Sequence, residues 1–276
     1  MNCKGKLIHF DSPKIMGILN ITEHSFFDGG KYFNSPDKYL FRIENMLKEG
    51  ADIIDVGCMA TNPQAKELSE NEELNITETV LKHIFSRFSD VIFSIDTWRS
   101  SVAKMAVEMG VSIINDVSGG EFDEKMFAVV AELQVPYILM HTSDKPEIMQ
   151  QKTDYQNVVY DVFLYLSKRL ETLRLLGVND VIIDPGFGFG KTIAQNYNLL
   201  DNLQIFKELG CPVMVGLSRK SMLYNLLETN PQQALNATTV ANTIALLHGA
   251  DILRVHDVKE ASEAVKIVSQ IKFNQL

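Results

Sequence analysis

The sequence is poor in several features that define large classes of protein. It has 3 cysteines in 276 residues, Cys3, Cys58 and Cys211. Their odd number and wide separation argue against a disulfide framework and against a cysteine-based zinc site. No long apolar run is present, so neither a signal peptide nor a membrane span is predicted. Linkers rich in proline, glycine or serine are also lacking, and we expect one cytoplasmic domain over residues 1–276.

Positive charge is scarce as well. The chain has 26 Lys and Arg residues against 35 Asp and Glu residues, which gives a formal net charge of −9. This balance argues against nucleic acid as a partner and provides no basic stripe for a membrane surface. An anionic substrate remains compatible with it, because local cations and a metal ion set the potential inside a pocket.

What the chain has in quantity is a repeat of short apolar runs with helical stretches between them. Apolar runs without polar alternation are typical of strands covered on both faces, and intervening helices indicate parallel connections. Eight such runs favour a (β/α)8 TIM barrel over its rival, an open doubly wound sheet. We expect residues 1–13 to lie across the bottom of this barrel. The predicted strands are Ile15–Leu19, Ile53–Val56, Val91–Ile95, Ile113–Ile114, Tyr137–Met140, Val181–Ile183, Val213–Leu217 and Ile252–Val255.

Helical periodicity and glycines predict where the intervening helices lie and end. The clearest helical stretches are Asp37–Lys48, Ser69–Phe88, Ser100–Met109, Tyr155–Leu176 and Gln232–Leu247. The glycines expected at helix C-termini are Gly50, Gly110, Gly177, Gly210 and Gly249.

Polar side chains follow every predicted strand. In a barrel of this kind the catalytic groups lie where strands end and βα loops begin. An isolated Asp or Asn at such a position is often only a helix cap, but recurrence after each strand favours a site. The set is Asn20, Asp55, Asp96, Asn115, His141, Asp184, Ser218 with Arg219 and Lys220, and Arg254 with His256 and Asp257.

The chemistry of this set indicates its ligand. Asp96, Asn115 and Asp184 offer acceptors and an amide, which suit a flat heterocycle with ring N–H and amino donors. Lys220 and Arg254 are cations after the last two strands, where barrels often bind phosphate. The pattern predicts a nitrogen heterocycle that carries a diphosphate.

Three further features complete this prediction. His256 adds a donor or proton carrier, and Asn20 offers an uncharged oxygen to a hard cation such as Mg²⁺. The glycine-rich stretch Asp184–Lys191 lacks the spacing of a dinucleotide-binding motif and the first glycine of a P-loop. It therefore indicates a sharply turning loop beside a buried acid.

Six stretches in order resemble the dihydropteroate synthase family over about residues 14–260. The resemblance implies a transferase of folate biosynthesis that condenses 6-hydroxymethyl-7,8-dihydropterin diphosphate with p-aminobenzoate. It also implies Mg²⁺ as cofactor and a homodimer formed through late helices such as Gln232–Leu247. The stretches are Met16–Asn20, Ser94–Thr97, Ile114–Val117, Asp184–Lys191, Ser218–Lys220 and Arg254–Val258.

The same resemblance implies a role for each matching residue. The catalytic set would be Asp96, Asp184, Lys220, Arg254 and His256. The pterin contacts would be Asp96, Asn115, Asp184 and Lys220, and the diphosphate contacts would be Asn20, Arg254 and His256, with Asn20 also on the metal. The p-aminobenzoate contacts would be Thr61, Pro63, Phe189 and Ser221.

Two loops depart from the family pattern. Thr22–Phe26 lacks the family's proline, and Asn62 and Gln64 replace an arginine and a glycine. One hypothesis is an active enzyme with an altered p-aminobenzoate pocket and reduced sensitivity to sulfonamides. A second is a catalytically impaired pterin-binding paralogue. A third alternative, a pterin-dependent methyltransferase, shares the barrel, but its substrate carries no diphosphate, so the cations after the last two strands favour the synthase. We expect His141 to be a structural histidine or one that supports a ligand contact indirectly, and Trp98 either to stack on the ligand or to pack against the next helix.

Overall fold

A ring of parallel strands forms the centre of the protein. The computed structural model describes residues 1–21, 35–58, 68–145 and 148–273. Two short strands, β1 Asn2–Cys3 and β2 Lys6–Leu7, form a hairpin at the N-terminus. The strands of the large sheet are β3 Lys14–Asn20, β4 Ile53–Gly57, β5 Ile92–Asp96, β6 Ile113–Asp116, β7 Tyr137–Met140, β8 Val181–Asp184, β9 Met214–Val215 and β10 Ile252–Val255.

Helices lie between these strands as predicted. They are α1 Pro36–Glu49, α2 Glu70–Phe85, α3 Ser100–Met109, α4 Met126–Leu133, α5 Val158–Leu175, α6 Ile193–Asp201, α7 Ser221–Tyr224, α8 Leu235–Leu247 and α9 Val258–Phe273. Short 3-10 helices occupy Met149–Gln151, Leu203–Leu209 and Pro231–Gln233. Among the described helices, none is long and apolar enough to cross a membrane.

The sheet closes into a barrel. Its strand order is β8-β7-β6-β5-β4-β3-β10-β9, with parallel pairing between neighbours. The two ends of this order meet at a parallel bridge between Ile183 and Val213, where Ile183 N donates to Pro212 O at 2.9 Å. The predicted (β/α)8 barrel is confirmed, and the open doubly wound sheet is wrong.

One layer of apolar side chains fills the lower half of the barrel. Each strand of the large sheet contributes one member, and these are Met16, Ile53, Ile92, Ile113, Ile138, Ile182, Met214 and Ile252. Cys3 and Ile8 from the N-terminal segment pack against the same layer. The hairpin is held there by bonds from Asn2 N to Asp180 Oδ2 and from Lys4 Nζ to Val107 O. The N-terminal segment therefore covers the bottom of the barrel, as expected.

Most predicted boundaries hold to within a few residues, and the deviations have local causes. Helix α5 begins at Val158 instead of Tyr155, because Asn157 caps it by accepting from Tyr160 N. Helix α8 begins at Leu235, since Pro231–Gln233 forms a separate 3-10 turn. Strand β9 is shorter than the predicted Val213–Leu217, and glycine at 216 is unfavourable for continuing it.

Candidate active site

A polar layer lies directly above the apolar one. Strand side chains alternate, so residues two positions beyond the apolar layer face the same interior, nearer the carboxyl ends of the strands. Five of these positions are polar, namely Asp55, Ser94, Asn115, Asp184 and Arg254. The first four are buried, and the Arg254 side chain is 18% exposed. The spacing of two is the sequence signal that would have added Ser94 to the predicted set, which already contained Asp55.

Arg254 is the centre of a network of charged side chains in this layer. Its Nε donates to Asp55 Oδ2 at 2.7 Å, and its Nη2 donates to Asp96 Oδ2 at 2.6 Å. Asn115 Nδ2 also donates to Asp55 Oδ2, at 2.9 Å. The structure thus brings the predicted Asp55, Asp96, Asn115 and Arg254 together, and it gives Asp55 two partners that the sequence did not indicate.

Burial and the opposite charge of a neighbouring residue shift the pKa values in this network in opposite directions. Burial raises the pKa of Asp96 to about 7, although the charge of Arg254 opposes the shift and that of Asp55 adds to it. Burial alone would lower the pKa of Arg254, but Asp55 and Asp96 together raise it above its usual range. Arg254 is therefore a permanent cation, whereas Asp96 changes its charge near neutral pH.

Asp184 of the polar layer interacts electrostatically with Lys220, which directly precedes α7. Burial raises the pKa of Asp184, and the charge of Lys220 opposes that shift. Burial lowers the pKa of Lys220 to about 8, while Asp184 raises it. Gly186 N donates to Asp184 Oδ1 at 2.8 Å, and Lys220 Nζ donates to the Phe187 carbonyl. Both predicted residues face the glycine-rich loop after β8.

That loop is supported from below by a buried lysine that the sequence prediction left without a role. Lys191 Nζ donates to Gly186 O at 2.8 Å, to Phe189 O at 2.9 Å and to His141 Nδ1 at 2.9 Å. Burial lowers the pKa values of Lys191 and His141 well below their ordinary values. His141 also lines a cavity of about 740 Å³ that none of the predicted pterin residues lines. The histidine thus contacts Lys191, which binds the carbonyls of the loop, as expected for a structural histidine.

His256 lies at the end of β10 and is held by Ser218. His256 N donates to Ser218 Oγ at 3.2 Å, and Ser218 Oγ lies 3.0 Å from His256 Nδ1. Arg42 on α1 donates to the His256 carbonyl at 2.6 Å. Burial, together with the charge of Arg254, lowers the pKa of His256 to about 3. The imidazole is therefore neutral over the physiological pH range.

Arg219, next to Lys220 in the sequence, has a different task. Its Nε and Nη2 bind both oxygens of Asp257 at 2.8 Å, and its Nη1 donates to Pro231 O at 2.7 Å. Its backbone has φ +55°. These bonds tie the loop after β9 to the loop after β10, so Arg219 positions Lys220 and His256 from outside the substrate pocket.

Asn20 ends β3 at the mouth of the barrel. Its Oδ1 would lie 3.0 Å from a Cβ added to Gly57, and that Cβ would also lie 3.7 Å from Asp96 Oδ2. The glycine therefore leaves open the space between the asparagine oxygen and the carboxylate. No group of three or more His, Cys, Asp or Glu side chains that could hold a metal occurs in the described part of the chain. Mg²⁺ commonly takes one or two protein ligands plus water and substrate phosphates, so an amide oxygen at an open mouth fits this ion.

The predicted p-aminobenzoate residues are only partly within the described chain. Phe189 is half-buried, and its ring centroid lies 4.6 Å from Lys220 Nζ. Ser221 is the first residue of α7, directly after Lys220. Thr61 and Pro63 lie outside the described residues, as do Asn62, Gln64 and Thr22–Phe26. Trp98 packs edge-on against Phe122 in the loop after β6, at 5.8 Å between ring centroids.

Comparisons with known proteins agree with this site. A family model described as pterin binding enzyme matches residues 16–256. The dihydropteroate synthase of Haemophilus influenzae is 40% identical over 264 residues, which cover 95% of each protein. Yersinia pestis dihydropteroate synthase in complex with a sulfonamide drug superposes with a TM-score of 0.94, at 36% identity and 99% coverage of both chains. Xanthomonas albilineans dihydropteroate synthase with 4-aminobenzoic acid superposes with a TM-score of 0.89, at 33% identity and coverage of 98% and 97%.

The closed barrel, its charged mouth and the match to the family model together define the class of the protein, which is that of the pterin binding enzymes. Within that class the chain belongs to the dihydropteroate synthases, and it is therefore a transferase. These relatives support the predicted synthase and neither the methyltransferase nor the impaired paralogue.

Proposed function

We propose that the polar layer binds 6-hydroxymethyl-7,8-dihydropterin diphosphate and that the protein joins it to p-aminobenzoate. The observation that carries this assignment is a set of unused acceptors. Asp96 Oδ1, Asn115 Oδ1 and Asp184 Oδ2 make no hydrogen bond to the residues that the structure describes. The pterin edge presents ring N–H and amino donors, which such acceptors complement. Lys220 would complete the pterin end.

Cationic side chains would bind the diphosphate end of the substrate. Cleavage of the bond between the pterin methylene and the diphosphate leaves positive charge on carbon and negative charge on the departing oxygens. Asp96 and Asp184 stabilise the first charge, and Arg254 and Lys220 stabilise the second. The amine of p-aminobenzoate attacks the methylene carbon, so the reaction requires no protein nucleophile. Asn20 and the neutral His256 would bind diphosphate oxygens.

Mg²⁺ would be held by Asn20 together with the diphosphate oxygens, and when bound it would neutralise charge on the leaving group. The p-aminobenzoate ring would be contacted by Phe189 and Ser221, and by Thr61 and Pro63 as the family resemblance implies. The structural relative that contains 4-aminobenzoic acid supports this choice of second substrate. Three free, buried cysteines are compatible with the expected cytoplasmic location.

A steady-state assay tests the function directly. We expect diphosphate release only when both substrates are present, with equal amounts of dihydropteroate formed. Asp184→Asn keeps the shape of the side chain but removes the charge that faces the developing cation, and it should lower kcat/KM by about a hundredfold. Release of diphosphate at the wild-type rate without p-aminobenzoate would contradict the proposal.

Substitution of Asn62 tests how the divergent second loop affects this function. A neutral amide in place of the family's arginine should weaken diphosphate binding by about 1–3 kcal/mol. Asn62→Arg should therefore lower the KM for the pterin diphosphate, and comparison of sulfonamide inhibition constants tests the proposed reduced sensitivity. Equal KM and inhibition constants in both proteins would show that Asn62 has no such effect.

A further inference from the structure

Asp55 is the one charged residue of the polar layer to which the proposed reaction gives no role. Its side chain is fully buried, and its Oδ2 accepts from both Asn115 Nδ2 and Arg254 Nε. These two partners belong to opposite ends of the proposed substrate, since Asn115 would contact the pterin and Arg254 the diphosphate. Asp55 is therefore the bridge between the two ends.

The bond to Asn115 fixes the direction of its amide. An ionised carboxylate accepts hydrogen bonds and cannot donate them. Because Asp55 Oδ2 lies 2.9 Å from Asn115, the asparagine must turn its NH₂ group toward Asp55. The amide oxygen then points away from Asp55 and remains available as an acceptor. A pterin N–H can be bound by that oxygen but not by the NH₂ group.

The bond to Arg254 fixes the guanidinium in a similar way. Asp55 accepts the Nε–H, which leaves the N–H bonds of the two terminal nitrogens for other acceptors. One of these nitrogens already binds Asp96. The fork of the guanidinium is thereby held in one orientation, which suits bidentate binding of phosphate oxygens.

The second oxygen of the Asp55 carboxylate makes no hydrogen bond that stabilises the described fold. Asp55 Oδ1 and the neighbouring Ser94 Oγ are buried and have no hydrogen-bond partner in the described residues. The two residues are paired in register on adjacent strands. A buried carboxylate oxygen without a partner is unfavourable.

We propose that Asp55 is a positioning residue that orients Asn115 toward the pterin and Arg254 toward the diphosphate. The inference rests on the proposed binding roles of those two partners. It predicts that the acceptor oxygen of residue 55 matters more than its charge, because one oxygen receives both hydrogen bonds.

The test compares Asp55→Ala with Asp55→Asn. The alanine variant has no acceptor, and its KM for the pterin diphosphate should rise about tenfold or more, while its KM for p-aminobenzoate stays within about twofold. The asparagine variant can still accept both bonds through its amide oxygen and should regain most of the affinity for the pterin diphosphate. An unchanged KM in the alanine variant, or equal losses in both variants, would overturn the proposal.

Asp116 provides the matched control. It is another buried aspartate, on β6 next to Asn115 in the sequence, but it accepts from Ser118 N, Gly120 N and Tyr137 Oη instead of from site residues. Asp116→Asn should lower the Tm without changing the ratio of the two KM values. If the role of Asp55 were purely structural, Asp55→Ala would also lower the Tm without changing the ratio of the two KM values. That result would overturn the proposal.

Binding of the pterin diphosphate by calorimetry separates this inference from the proposed function. A wild-type protein that binds the ligand without turnover would contradict the proposed function, yet Asp55→Ala should still weaken binding about tenfold. Should the alanine variant fail to fold, Asp55→Asn alone decides, because a loss of about tenfold in its pterin affinity contradicts an acceptor-based role.

Discussion

At the scale of single residues, buried carboxylates with similar burial do different work because they have different partners. Asp116 accepts three hydrogen bonds, at 2.7 Å from Ser118 N, 2.8 Å from Gly120 N and 2.7 Å from Tyr137 Oη. Asp184 accepts one, from Gly186 N, and its second oxygen has no partner in the described residues. The first carboxylate holds a loop, and the second is available for a ligand.

The shifted pKa values of Asp96 and Lys220 predict a pH dependence of ligand binding. Asp96 must be ionised to accept from the pterin, and burial raises its pKa to about 7, so affinity should fall as pH drops below that value. Burial lowers the pKa of Lys220 to about 8, so its charge, and with it affinity for the diphosphate, should fall as pH rises above that value. Well below pH 7 the loss should approach about tenfold for each pH unit.

Calorimetry of the pterin diphosphate at pH values from roughly 5 to 9 measures both the acid limb, where affinity falls as pH drops, and the alkaline limb, where affinity falls as pH rises. Asp96→Asn should abolish the acid limb. His256→Ala should preserve both limbs, because the pKa of His256 is lowered to about 3 and the imidazole does not titrate in this range. An acid limb that survives in Asp96→Asn would assign it to another group.

At the scale of elements, the loop after β8 depends on backbone that only glycine allows. Gly186 has φ +72°, and a Cβ there would lie 1.9 Å from the His141 carbonyl oxygen. Lys191 holds the carbonyls on either side of this turn. The loop therefore combines a backbone path that requires glycine with a buried lysine that binds its carbonyls, and together they place Phe189 beside Lys220.

Gly186→Ala should be far more harmful than an alanine at Gly177. Both glycines have positive φ, but nothing lies within 4 Å of a Cβ added to Gly177. Gly177→Ala should cost about 1 kcal/mol of unfolding free energy, from the left-handed backbone alone, and Gly186→Ala more than about 3 kcal/mol. Urea unfolding measures both values. Equal costs for the two variants would mean that the contact with His141 relaxes without strain.

Elements were easier to predict from the sequence than contacts. Strand β7 and helix α3 have the predicted ends, because each is bounded by residues whose local preferences agree with the fold. Alternation explains why Asn115 faces the interior and Asp116 does not. Asp55 and Lys191 received no predicted role, since their importance comes from partners 199 and 50 residues away in the chain, Arg254 and His141. Sequence periodicity carries no information about such partners.

At the scale of the whole molecule, the barrel is apolar at one end and charged at the other. The N-terminal hairpin covers the apolar end, so substrates enter from the charged mouth. The outer surface has a further apolar feature on α8, where Val240, Ile244 and Leu247 are 52%, 36% and 47% exposed. Their spacing of four and three residues places them on one helical face.

This face of α8 is where we expect the predicted homodimer to form. Ile244→Asp should convert a dimer to a monomer in sedimentation, because it buries a charge in an apolar contact. Leu175→Asp is the matched control, since Leu175 is 83% exposed on α5, away from this face. A wild-type protein that sediments as a monomer, or a dimer unaffected by Ile244→Asp, would contradict the use of this face.

The central claim is that the site divides the substrate into a pterin end and a diphosphate end. The most direct measurement is calorimetry of 6-hydroxymethyl-7,8-dihydropterin and of its diphosphate, with wild type, Asp184→Asn and His256→Ala. We expect Asp184→Asn to weaken both ligands by a similar factor of about ten or more, and His256→Ala to weaken only the diphosphate. Loss of affinity for both ligands in His256→Ala, or for neither in Asp184→Asn, would contradict the division.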